Sequence, residues 1–463
     1  MKRRIELQLL LFMPRNLWLL ICVLIASGIT NESFDSHKSN GELNSRPIDS
    51  NTDIPFGGET WAMHAIDPAP SSGSDGVKLA DVNGDGFSDL VSGFEEDGVS
   101  RIYIHPGSEK VRKYWEYVEL PSPDVEDAVL VDLDNNGVVD LVTASEGRTN
   151  QIQFHWAPDH KSNYLDSARW STQVVPATDG LTAWMFVVPV DMDGKNGIDL
   201  IVGSKRKRGV NGDDQAVVGW LQSPENPRSI KDWKYFPLTS AGWIMSIEVV
   251  DMNDDAHPDI LISDRKFSTQ TGLRWLKNPG KNTREFYGEW ESHMLGVSEG
   301  EPMFLTMADL DENGSEEILV PDLYNGLVIL EQQDRSSLSW NSHLIPYPVW
   351  SGGRGKAVSV GDINLDGKPE VVLSFEEEGK VASIPYEEYK SNGKYNVILG
   401  SFTDKPLVPA NWSFEKISGM RGRKFDLVTL IDLDGDGDLD VLTNDENEEG
   451  DGLGVIWYEN PTK

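Results

Sequence analysis

Acidic side chains at alternate positions around a glycine recur seven times along this chain, in loops of the form Asp-x-Asp/Asn-x-Asp/Asn-Gly-x-x-Asp/Glu. The chemistry such a loop can do is cation binding. Calcium is a hard ion that takes roughly six to eight oxygens, and a tight turn closed by a carboxylate can wrap one ion with them. The donors are Asp81, Asn83, Asp85 and Asp89 in the first loop, and Asp132, Asp134, Asn136 and Asp140 in the second. Asp309, Asp311, Asn313 and Glu317 form the fifth, Asp362, Asn364, Asp366 and Glu370 the sixth, and Asp432, Asp434, Asp436 and Asp440 the seventh. Two copies depart from the pattern. The third, from Asp191 to Asp199, carries Lys195 and Asn196 at its fifth and sixth positions, and the fourth, from Asp251 to Asp259, has Ala256 where a glycine should turn. The third is expected to hold no ion, since an ammonium can take its place, and the fourth is left open. About three to five calcium ions are therefore expected.

The elements around the loops are strands. Val77-Lys-Leu-Ala80 precedes the first loop and Asp89-Leu-Val-Ser92 follows it, and the second is framed by Ala128-Val-Leu-Val131 and Asp140-Leu-Val-Thr143. Such apolar, β-branched runs bounded by turn residues read as hairpins whose turn is the metal loop. An EF-hand would need helices on both sides and a later closing Glu. A Trp opens each unit about twenty residues upstream of its loop: Trp61, Trp115, Trp170, Trp233, Trp290, Trp340 and Trp412. A third strand follows the loop, as in Gly454-Val-Ile-Trp-Tyr-Glu-Asn-Pro461 and Gly272-Leu-Arg-Trp-Leu-Lys-Asn-Pro279. Four strands per unit predict an all-β, seven-bladed propeller with four-stranded blades. The tryptophans are expected to be core.

The loop signature, repeated seven times between Trp61 and Pro461, resembles the FG-GAP/VCBS repeat proteins, whose blades are similar to the propeller of integrin α subunits. That resemblance implies that each metal loop joins the innermost strand to the second, that the Trp-led strand is outermost, and that the N-terminal strand from Trp61 to Ile66 completes the last blade and closes the ring. It also implies that ligands bind on the face opposite the metal loops. On that face the sequence places Trp184, Trp243, Trp350 and Phe304. It places there as well a basic sector of Lys205-Arg-Lys-Arg208 with Arg265-Lys266, and a second of Arg354, Lys356, Arg421, Arg423 and Lys424. Bases and aromatics together suggest an acidic or sulfated polysaccharide, with a surface protein as the other partner class.

Composition bounds the rest. The chain has 463 residues, 38% hydrophobic, with 43 Gly and a net charge of −35, much of it in the loops. So acidic a chain repels nucleic-acid phosphates. Lys2, Arg3, Arg4 and Arg15, the apolar run Leu17–Ile25 and the small residues to Gly28 read as a signal peptide over 1–28. A polar linker is expected over 29–57 and the propeller over 58–463. The expected mature protein is a secreted, periplasmic or surface monomer without a membrane span. Its only cysteine, Cys22, leaves with the signal, so calcium rather than disulfide must staple it.

No nucleophile elbow, zinc-binding His-Glu-x-x-His or phosphate loop is present. A binding or adhesion module is expected. The second reading is an eliminase, either a polysaccharide lyase using Tyr324, Tyr347 or Glu301 at the ligand face, or a dehydratase, because Trp457-Tyr-Glu-Asn-Pro461 is similar to a strand of aldos-2-ulose dehydratases. A metal site shared by His105 and His155 belongs to that reading. The third is an envelope scaffold.

Overall fold

The apolar runs flanking the acidic loops pair as antiparallel hairpins, and each hairpin recruits two further strands. The computed structural model describes residues 60–67, 73–206, 216–266, 270–333, 339–377, 394–446 and 452–463. These form seven four-stranded sheets, the blades of a propeller. Blades 1 to 6 span 78–121, 125–174, 183–241, 244–296, 306–346 and 353–416 in chain order. The seventh consists of Val428–Ile431, Asp440–Asp445, Gly454–Glu459 and, beyond them, Ala62–Ala65. The signal and linker expected over 1–57, together with Cys22, Lys207 and Arg208, lie outside the described residues.

First strands of neighbouring blades touch one another, which places them around the central axis. The second strands sit between two other strands and two neighbouring blades, so both faces are covered. Asp89–Phe94, Asp140–Ser145, Asp259–Asp264 and Asp440–Asp445 are buried at every residue. This is why they read as continuous apolar runs rather than as alternation. The fourth strands are the solvated outer edges, and Glu116–Pro121 alternates exposed and buried positions.

Apolar side chains fill the wedges between blades. Phe94 and Tyr103 of blade 1 pack with Leu442 and Trp457 of blade 7, and Phe154 of blade 2 packs with Trp184, Leu221 and Trp233 of blade 3. Four of the seven tryptophans that open the units are core as expected, Trp115, Trp170, Trp233 and Trp290 being at most 9% exposed, whereas Trp61, Trp340 and Trp412 are half-buried against the core clusters. Each of the four donates its indole N–H to a backbone carbonyl four to six residues upstream, at 2.8–3.3 Å. Ala62–Ala65 pairs with Gly454–Glu459 from Ala62 opposite Glu459 to Ala65 opposite Ile456. Its ends reach both neighbours: Trp61 N–H donates to the Ile417 carbonyl of blade 6, and the Ile66 carbonyl accepts from Trp115 N–H of blade 1.

Candidate metal loops and the mouth of the propeller

Each acidic loop is a turn held by its own carboxylates. Its first Asp accepts from the backbone N–H of the sixth residue, as Gly86, Gly137, Gly314, Gly367 and Gly437 donate to Asp81, Asp132, Asp309, Asp362 and Asp432 at 2.8–3.1 Å. That sixth residue lies at positive φ, from 85° to 92° in these five. Ala256 of the fourth loop adopts φ 64° and still donates to Asp251 at 2.7 Å, so the turn survives at some strain. The third loop differs. Asn196 turns its side-chain amide to the Ser223 carbonyl instead, and Lys195 Nζ stands 3.9 Å from Asp193 Oδ2, where a bound cation would be.

The closing acid is the bracket of each blade. Asp140 is fully buried, and its carboxylate accepts from Leu133 N–H at the start of the loop and Ala157 N–H after the third strand. Asp89, Asp199, Asp259 and Asp440 repeat this with His105, Ser223, Asn278 and Asn460 as the second donors. Glu317 and Glu370 hold the loop's own N–H, from Leu310 and Ile363. The Asn of the Trp-x-x-Asn-Pro strands is thus a structural residue, and Asn460 also donates its amide to Ile363 and Leu439 carbonyls. This accounts for the motif that resembles the dehydratase strand.

The donor set fits a divalent cation. Carboxylate oxygens of Asp132, Asp134 and Asp140 lie within 4.8 Å of one another, as do those of Asp309, Asp311 and Glu317, and of Asp191, Asp193 and Asp199. Asp362 Oδ1 is buried without a hydrogen-bond partner. Burial pushes the closing carboxyls up, to about 6 at Asp89 and about 7 at Asp140, Glu317 and Asp440, a cost that a cation favouring the charged form would offset. Calcium bound there would supply a cross-link within each hairpin and no chemistry. In the third loop the carboxylates gather without the regular turn, and Lys195 stands beside one of them, Asp193. Accordingly, with calcium present, Asp436→Ala is expected to lower the melting temperature more than Lys195→Ala; equal shifts would overturn this ranking of the loops.

A cation from the next blade leans on two of the loops. Arg228 of blade 3 bonds Asp134, and Arg112 of blade 1 bonds Asp434. Nothing in the sequence spacing announced these pairs.

At the opposite ends of the same first and second strands lies the mouth, a cavity of about 350 Å³. It gathers both expected basic sectors, Lys205 with Arg265 and Lys266, and Arg354 with Lys356 and Lys424. The charge balance among the described residues is more acidic than the sequence expectation, because eight described acids line the cavity against six described bases. Lys205 pairs with Glu126 at 2.8 Å and with Glu146, Arg354 with Glu376 at 2.6 Å, and Lys356 with Asp426 at 2.5 Å. Arg421 and Arg423 are half-buried beside it rather than in its lining.

The expected aromatics separate into three environments. Trp184 does not reach the ligand face: it is fully buried between blades 2 and 3, edge-on to Tyr235, with its N–H on the Thr178 carbonyl. Trp350 packs edge-on against Tyr395. Trp243 does line the mouth, but Lys205, Arg265 and Lys266 stand 4.7–5.1 Å from its ring centroid. Phe304 lines the mouth as well.

The catalytic candidates stand in separate settings. Tyr347 donates its hydroxyl to the Asp322 carbonyl at 2.7 Å, and burial pushes its phenol well up. Glu301 is held by Arg265 at 2.8 Å, and Tyr324 is an exposed rim residue. His105 donates from Nε2 to the Leu433 carbonyl and accepts from Gly107 N–H at Nδ1, whereas His155 is fully buried between Thr143 and Thr172, where burial drives it down to about 3. The two rings serve separate partners, which corrects the idea of a shared metal.

One recurring group was missed. The second strand often ends, at the mouth side, in a further acid: Asp259-Ile-Leu-Ile-Ser-Asp264, Glu317-Ile-Leu-Val-Pro-Asp322 and Asp440-Val-Leu-Thr-Asn-Asp445. Asp264 accepts from the N–H groups of Gly242 and Trp243 and from buried Arg274. Asp322 holds Glu301, Tyr324 and Asn325, and Asp445 holds Arg423 and Lys424. These acids position the mouth loops.

Residues 81–143, which include the first two loops, match the family model described as FG-GAP-like repeat. No curated protein matches the chain. Among solved structures it is similar to BBS1N crystallised in complex with ARL6DN and soaked with mercury, with a TM-score of 0.47 and 14% identity over 88% of this chain and 99% of that one. It is also similar to the Dos1 propeller, with a TM-score of 0.45 and 8% identity over 80% and 75%. The chain is a seven-bladed β-propeller that carries an FG-GAP-like repeat in its first two blades.

Proposed function

We propose that this protein is a calcium-stapled binding module, secreted to the cell exterior, whose mouth takes an extracellular glycan. The observation that carries the reading is the division of labour along the inner strands. One end of each hairpin gathers carboxylates suited to a cation, while the other ends converge on a charged cavity with Trp243 and Phe304 in its walls. Exposed Tyr324 and half-exposed Lys266 stand where a sugar chain would leave the cavity. Described helices include none long and apolar enough to cross a membrane.

The test is to incubate the calcium-loaded protein with acidic and sulfated polysaccharides, following retention on each and the ultraviolet absorbance of unsaturated uronyl ends. Retention with a flat trace is expected. Rising absorbance would make the protein a lyase instead, and neither signal would make it a scaffold.

A further inference from the structure

The charges in the mouth are not mixed evenly around the ring. Among the described lining residues, blades 1 and 2 contribute Asp75, Glu95, Glu126, Asp127 and Glu146 and no base. Blades 3 to 6 contribute Lys205, Arg265, Lys266, Arg354 and Lys356 against the single acid Glu376. Blade 7, beside blade 1, adds Asp426 and Glu446 with Lys424. The cavity therefore has an acidic side, into which Lys205 and Lys356 reach, and a basic side of Arg265, Lys266 and Arg354, with Phe186, Phe304 and Trp243 in its walls.

The acidic side is short of counter-charge. Oxygens of Glu95, Glu126 and Glu146 crowd within 4.8 Å of one another, and so do those of Asp75, Asp426 and Glu446. Lys205 satisfies Glu126 and Glu146, and Lys424 satisfies Glu446. Asp75 and Glu95 receive no hydrogen bond or ion pair on their carboxyls from the described residues, and Asp75 Oδ2 is a buried atom. Burial and the nearby Glu126 push Glu95 up to about 7, as expected of a carboxyl waiting for a positive partner. Because lysine Nζ atoms already stand in both clusters, a further ammonium meets less repulsion there than a divalent ion would. On the basic side, Lys266 is 47% exposed, at 3.7 Å from a Glu301 that is already held by Arg265.

Resting on the reading of the mouth as the ligand site, we infer that it binds a zwitterionic ligand, a glycan unit that carries an ammonium as well as an acid. The ammonium lies against Asp75 and Glu95, and the acid against Lys266 and Arg354. A purely anionic polymer would engage the basic side alone, so it is expected to be retained more weakly than a glycan that also carries an ammonium.

Titration calorimetry on the calcium-loaded protein tests this with 6-aminohexanoate as probe, against hexylamine and hexanoate. The expected result is at least tenfold tighter binding of the amino acid than of either single-charge analogue. Glu95→Gln should bring it down to the level of hexanoate without changing hexanoate itself, and Lys266→Met should bring it down to the level of hexylamine. Both positions are partly exposed, so unchanged melting temperatures are the control for folding. Equal binding of hexanoate and 6-aminohexanoate would overturn the inference while leaving the mouth a ligand site. Binding of none of the three would also overturn it, and retention on polysaccharides would then decide the broader reading separately.

Discussion

Chelation with EGTA is expected to lower the melting temperature by on the order of 10–20 °C, with recovery on adding calcium. The magnitude follows from mass action. An ion that binds only the folded state contributes about 2.7 kcal/mol per site at a hundredfold excess over its Kd. Three or more loops would add to several kcal/mol, and each kcal/mol moves the midpoint of a large domain by roughly 2–4 °C. Without calcium, the loop carboxylates face one another at close range: Asp132, Asp134 and Asp140 share 4.8 Å. No disulfide replaces the staple, because the chain has one cysteine. A melting curve that ignores EGTA would end the metal reading.

The second large effect is expected from Asp440→Ala, measured by thermal melting in calcium. This carboxylate is 1% exposed and accepts from Leu433 N–H at 3.0 Å and Asn460 N–H at 2.9 Å. Truncation leaves both donors without their acceptor, and each buried orphan costs about 1–3 kcal/mol. It also removes a carboxylate from the seventh loop and loosens Asn460, whose amide holds Ile363 in blade 6. The loss should exceed that of Asp436→Ala, since Asp436 is an exposed loop residue. Asp440→Asn, which keeps one acceptor oxygen, should fall between them. An Asp440→Ala variant no less stable than Asp436→Ala would show that the closing acid acts only as a metal ligand.

Much of this architecture is legible in the sequence because it is local. The nine-residue loop spacing and the flanking β-branched runs lie within one blade, and the leading Trp stands nearby in sequence at the outer strand of the blade before, so strand order and the buried role of Trp115 or Trp233 follow from the chain itself. The mouth is less legible because it is assembled from all around the ring. Lys205 and Glu126, paired at 2.8 Å, are 79 residues apart, and no reading of the Lys205–Arg208 run could show that its first lysine was already neutralised. The tryptophans make the same point at finer scale. Trp243 precedes its inner strand, Ile244–Val250, and faces the mouth. Trp184 lies inside its own, Ala183–Val190, just before a shift of register, and is carried into the wedge between blades. One residue of displacement decides between a wall of the cavity and a piece of the core.

A six-residue strand with an acid at each end has a thermodynamic consequence. Asp259 clamps the hairpin of blade 4 and Asp264 the loop that carries Trp243; Asp440 and Asp445 do the same for the seventh hairpin and for Lys424. The strand between them, on the order of 17–20 Å long, is buried on all sides and cannot shift at one end alone. If an ion is bound on one face and a ligand on the other, the shared strand is the element through which the two affinities would be linked. Whatever factor calcium adds to ligand binding, the ligand must return to calcium. Were calcium to fluctuate around a propeller that bound both, the strength of its grip on the ligand would follow.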